Sequence, residues 1–167
     1  ESAGSHLAML TAYTRDQEEF KGSLGVRAEN ELEIKLMVNW FGATDLNTIK
    51  RPMDGSNASM PEGFRYTPEY FNLGAQRHTD VELRKLASPI AHIQGAIMPT
   101  VIFHGTADTM VPFQQALALQ TTLSDAGREV ALISIEGAEH AWMGLPQEQV
   151  TSIVQDTIDR IATKLKD

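Results

Sequence analysis

Cysteine is absent from the 167 residues, which excludes disulfides, thiolate metal sites and a thiol nucleophile. Positive charge is scarce: 14 Lys and Arg stand against 22 Asp and Glu, a formal net charge of −8. No basic run of the kind that neutralises phosphates occurs, so nucleic acid is not expected as a partner. The same acidic balance argues against an anionic membrane surface. No uninterrupted apolar stretch approaches the roughly 20 residues needed to span a bilayer. The chain also opens on Glu1 instead of methionine, so its native N-terminus is expected upstream and no targeting information is legible.

What is present is a soluble composition, 42% hydrophobic, with a helix and strand punctuation that alternates. Residues 2–14, SAGSHLAMLTAYT, place Leu7, Leu10 and Tyr13 at three-residue spacing among Ala3, Ala8 and Ala12, predicting a helix that begins at or beside Ser2. Residues 15–31 are polar and read as a connection. IKLMVNWFG (34–42) and PTVIFHG (99–105) are short apolar runs that suit buried strands, and EVALISIEG (129–137) predicts a third. PFQQALALQTTLSDAG (112–127) predicts a helix with Pro112 near its first turn and Gly127 just past its end. Residues 146–165 predict an amphipathic helix with Val150, Ile153, Val154, Ile158, Ile161 and Leu165 along one stripe. Between the first two strands, residues 43–88 are broken by Pro52, Gly55, Pro61, Gly63, Pro68 and Gly74. They read as short helices and loops, with a better helix near 79–87.

This order implies an α/β fold with a mostly parallel sheet covered on both faces. Three strands are few for such a sheet, whose edges need protection. The chain is therefore expected to form the C-terminal portion of one larger α/β domain, with a lid-like excursion at about 47–87.

Nucleophilic acyl chemistry needs a hydroxyl, a base to take its proton and an acid to orient the base. In α/β sheets these groups come from loops at the carboxyl ends of strands. Ser2 precedes a helix within Glu-Ser-Ala-Gly, where small neighbours suit a tight turn, and the Ala3 N–H lies at the helix start as an oxyanion donor. Asp108 lies in HGTADTMVP just past the second strand, and His140 lies in EGAEHAW just past the third. Singly, each has an ordinary reading: a helix cap, a turn residue and a surface histidine. Together they fall in the order Ser, Asp, His on one rim of the predicted sheet, as a hydrolase triad requires.

On those residues the chain resembles the alpha/beta-hydrolase fold esterase and lipase family, in its branch of hormone-sensitive-lipase-like carboxylesterases and feruloyl- or acetylxylan-esterase-like proteins. ESAGSHLA looks like the nucleophile elbow, VNWFGATDL (38–46) like the strand after it, residues 88–112 like the acid loop and GAEHAWMG (137–144) like the histidine loop. The resemblance implies Ser2 as nucleophile, Asp108 as acid, His140 as base and Ala3 as one oxyanion donor, acting on small acyl or aryl esters without metal or organic cofactor. Three features depart from the family, the first being that the elbow's first glycine is absent. Ser5 stands where the group often has a second glycine, and no His-Gly-Gly oxyanion motif occurs, His104-Gly105 leading instead into the acid loop. The resemblance therefore implies that an N-terminal half, in the same or a companion chain, completes the site, and that these 167 residues alone fold poorly or associate. Two rival functions are an arylformamidase-type amide hydrolase with the same triad and a non-catalytic module on the same fold.

Other candidates have plainer readings. His6 is expected to be a packing or surface residue and not a second base, Asp45 is a rival acid, and Glu139 is expected at the surface. His78, Asp80 and Glu82 fit a solvated helix start better than a metal site. The aromatics of 64–71, Phe71 among them, are expected either to line a substrate pocket or to form a small satellite core. Trp142 is expected to wall the same pocket or to pack on the final helix.

Overall fold

The computed structural model describes residues 1–20, 22, 33–49 and 80–166. Phe71, the other aromatics of 64–71 and His78 lie outside the described residues. The described elements run α1 (Ser2–Thr14), β1 (Met37–Trp40), α2 (Val81–Leu86), β2 (Thr100–Gly105), α3 (Gln114–Asp125), β3 (Val130–Ile135) and α4 (Gln147–Lys164). The three strands form one sheet in the order β1-β2-β3, and both pairings are parallel. The strands and helices expected from the hydrophobic runs are all present, each within a few residues of its expected bounds.

The two faces of β2 feed two cores, because successive side chains of a strand point to opposite sides. Ile102 turns toward Met9, Tyr13, Leu119 and Leu123 of α1 and α3. Val101 and Phe103 turn the other way, toward Phe41, Trp142 and Ile153 of α4. Every residue of β2 is buried, as expected of a central strand of a parallel sheet. α3 ends in a Schellman turn: Gly127 takes φ 69°, its N–H donates to the Ser124 carbonyl, and the Arg128 N–H donates to Leu123. Among the described residues no helix is long and apolar enough to cross a membrane.

Two helices pack differently from their sequence pattern. In α1 the buried face is Ser5, His6, Met9, Ala12 and Tyr13, while Leu7 is 61% exposed. Polar residues occupy that face because they bond across it: Ser5 Oγ accepts the Trp40 N–H at 3.1 Å, and His6 Nδ1 lies 2.9 Å from the Ala43 carbonyl oxygen. In α4, Ile153 is buried and Val150 packs against the core, but Val154, Ile158, Ile161 and Leu165 are exposed. The apolar stripe of α4 is thus divided between the sheet and the outer surface.

Candidate active site

All three strands point their carboxyl ends to one rim, and the loops leaving that rim carry Ser2's neighbours, Asp108 and His140. α1 is fastened beneath Ser2 by the Ser5 and His6 bonds. Gly42 permits that approach: a Cβ there would stand 2.6 Å from the Ser5 Cβ and 2.7 Å from the Asn39 side-chain oxygen. Gly105 does the same for the other two loops. A methyl at that position would overlap the Ala138 carbonyl oxygen, two residues before His140.

The three side chains expected to act together are joined by hydrogen bonds. Ser2 Oγ lies 3.0 Å from His140 Nε2, and His140 Nδ1 lies 2.8 Å from Asp108 Oδ2. An aspartate at Nδ1 requires the proton on that nitrogen, which leaves the Nε2 lone pair facing the serine hydroxyl. Asp108 is itself held tightly: Oδ1 accepts the N–H groups of Met110 at 2.9 Å and Val111 at 2.8 Å. Burial acts to raise the pKa of Asp108, but it is outweighed by hydrogen bonds from His104, His140 and the Val111 N–H and by the charge of His140. The carboxyl is left well below its ordinary range. A hydroxyl, an imidazole and a buried carboxylate so arranged can take a proton from the hydroxyl as it attacks and stabilise the imidazolium that forms. Ala3 is the second residue of α1, in the first turn where backbone N–H groups have no carbonyl four residues earlier to receive them.

The backbone is strained at this site. Among the described residues, the non-glycine residues with positive φ are Ser2 (47°), Phe41 (42°), Ala141 (57°) and Trp142 (62°). One is the serine, and two directly follow His140. The fourth, Phe41, stacks its ring edge-on against the His140 imidazole at 4.8 Å. Left-handed conformations cost non-glycine residues on the order of 1 kcal/mol or more and collect where function demands an unusual geometry.

Trp142 is buried, in edge contact with Trp40 at 5.3 Å and Phe41 at 4.7 Å, and it shares a core cluster with Ile153 of α4. Asp45 does not reach the imidazole; its carboxylate accepts the Asn47 N–H and the Thr48 hydroxyl within its own turn. Glu139 corrects its surface reading. It is half-buried, and its Oε2 accepts the Thr109 N–H at 3.0 Å and the Thr109 hydroxyl at 3.1 Å. It thereby ties the histidine loop to the acid loop. His104 carried no expectation beyond not being an oxyanion motif, yet it lies 3.4 Å from Asp108. A histidine inside an otherwise apolar strand was the signal for it, since a buried imidazole must find partners.

A family model described as BD-FAE matches residues 1–123. The esterase LipC of Mycobacterium tuberculosis is 25% identical over 144 residues, covering 84% of this chain and 33% of LipC. A truncated carbohydrate esterase from gut microbiota superposes with a TM-score of 0.69 at 24% identity, over 99% of this chain and 58% of that one. The propionate-bound esterase Est2 of Thermogutta terrifontis gives 0.60 at 22% identity, over 98% and 53%. The chain spans about a third of the length of the curated relatives it matches. With a family match over residues 1–123 and a shared parallel α/β architecture, this chain belongs to the BD-FAE family and has an alpha/beta-hydrolase fold.

Proposed function

We propose that the protein is a serine carboxylic ester hydrolase, with Ser2 as nucleophile, His140 as general base and acid, and Asp108 as the group that orients His140. The observation that carries this reading is the unbroken chain from Ser2 Oγ through His140 to Asp108, at 3.0 and 2.8 Å, starting from a serine held at φ 47°. In the first half-reaction the serine oxygen bonds to the acyl carbon while its proton passes to His140 Nε2. The C–O bond to the alcohol breaks, and that proton leaves with the alcohol oxygen. Water then repeats the sequence on the acyl-enzyme, releasing the carboxylic acid and restoring the hydroxyl. In this reading the Ala3 N–H donates to the oxygen that becomes negative, and the α1 N-terminus adds favourable partial charge. No metal or organic cofactor is needed for these steps.

The esterase names of LipC and of the solved structures support an ester substrate, and small acyl or aryl esters, including those on polysaccharide side chains, are the expected class. The shares of the relatives covered support a further proposal: the chain forms the C-terminal portion of one hydrolase domain whose remainder supplies other oxyanion donors. A fluorophosphonate probe tests the reading directly. We expect the label on Ser2, its loss in Ser2→Ala, and a fall in ester turnover of about 10⁶-fold. A label elsewhere, or turnover that survives Ser2→Ala, refutes the assignment. Turnover of an aryl formamide in preference to the matching acetate ester would move the protein to the arylformamidase class.

A further inference from the structure

Asp108 holds one contact more than a single imidazole requires. His104, in β2, is fully buried, with Nε2 2.7 Å from the Val111 carbonyl oxygen and 3.4 Å from Asp108 Oδ2. Its ring meets Phe113 edge-on at 5.9 Å, and its Nδ1 is buried with no hydrogen bond among the described residues. Two acceptors at Nε2 require the proton there. A second proton on Nδ1 would be an orphan donor in the interior.

We propose that His104 is a positioning residue for Asp108, an imidazole protonated on Nε2 and bare on Nδ1 that fixes the acid in place. It acts in two ways. Directly, its Nε2–H lies 3.4 Å from Oδ2, a longer polar contact beside the three hydrogen bonds that the carboxylate makes with Met110 N–H, Val111 N–H and His140. Rotation of the carboxylate then breaks several bonds at once. Indirectly, its bond to the Val111 carbonyl closes the loop from residue 104 to residue 111 and so holds the Val111 N–H on Oδ1 at 2.8 Å. The acid is thus fixed from the strand beneath it as well as from its own loop. An aliphatic residue at position 104 would fill the space but leave the Val111 carbonyl unmet and remove the polar contact at Oδ2.

The kinetic part of the test rests on the proposed triad, while the spectroscopic part does not. In protein labelled with ¹⁵N-histidine, NMR is expected to show His104 protonated on Nε2 alone and a strongly downfield proton on His140 Nδ1. In His104→Leu that proton should move upfield, kcat should fall about tenfold and KM should stay within about twofold, as expected for loss of a hydrogen bond to a charged group. His104→Gln, whose amide N–H reaches the position of Nε2, should restore most of both. A His104 protonated on Nδ1 overturns the proposal. So does a His140 proton and kcat left unmoved by His104→Leu, or a Gln variant no better than Leu in a folded protein. If His104→Leu fails to fold, the tautomer and the Gln variant decide. If the protein turns over no ester, the functional reading fails, and the tautomer and the His140 proton still decide the role of His104.

Discussion

Replacing Asp108 by asparagine changes one oxygen to an NH₂ at nearly constant shape, and the surrounding donors dictate which oxygen is lost. If the NH₂ took the place of Oδ1, it would face the N–H groups of Met110 and Val111, at 2.9 and 2.8 Å, donor against donor. An unmet buried donor costs about 1–3 kcal/mol, and this orientation would create two. The NH₂ therefore takes the place of Oδ2, opposite His140 Nδ1 at 2.8 Å, where only the longer approach of His104 Nε2 at 3.4 Å stands against it. The imidazole must then present a lone pair at Nδ1 and carry its proton on Nε2, where it can no longer accept from Ser2. The serine loses its base while every backbone contact of the acid loop survives. We expect Asp108→Asn to lower kcat/KM for p-nitrophenyl acetate by about 10⁴-fold, roughly 5 kcal/mol of barrier, with circular dichroism unchanged. A folded variant that keeps activity within tenfold of the parent would refute the orienting role of Asp108.

Three further outcomes follow from the same geometry. Gly105→Ala drives a methyl into the Ala138 carbonyl and should cost about 3 kcal/mol, seen as a fall of roughly 10 °C in Tm together with weakened labelling of Ser2. Glu139→Ala unfastens Thr109 from the histidine loop; kcat should drop about tenfold while Tm moves only a few degrees, measured by steady-state kinetics and calorimetry. Because Asp108 titrates below its unfolded value of 3.8, its contribution is complete above that pH and is lost as the pH falls through the folded value. The Tm of the parent should therefore fall more steeply than that of Asp108→Asn between about pH 4 and pH 2.

The sheet was legible in the sequence because its strands are continuous apolar runs bounded by glycine and proline, and the Schellman turn was legible in Gly127. The site was legible as an order, Ser2, Asp108, His140, each beside the end of a strand or the start of a helix. What escaped were contacts that hydrophobicity does not register. Ser5 and His6 are buried through hydrogen bonds to β1 and its loop, so the spacing of Leu7, Leu10 and Tyr13 predicted the helix but not its buried face, which takes Tyr13 and leaves Leu7 outside. Glu139 reads as a surface carboxylate beside a histidine, because its partner Thr109 lies 30 residues away in sequence. His104 shows in the sequence only as a histidine in an apolar strand, and its partners, the Val111 carbonyl and Asp108, come together with it only in the fold.

The sequence separations within the site also bear on how it would assemble. Asp108 and His140 are separated by 32 positions and share the β2–α3–β3 unit, whereas Ser2 meets His140 across 138 positions. Contacts close in the chain have little loop entropy to overcome, and distant ones form after the scaffold that rewards them. On that argument the imidazole–carboxylate pair is expected to form with the locally connected β2–α3–β3 unit, and the serine to join it afterwards. Its φ of 47° is a strain that only the assembled sheet can impose. Local opening that breaks the Ser5 and His6 bonds holding α1 to β1 and its loop would release the serine first, leaving a paired histidine and aspartate without its hydroxyl partner.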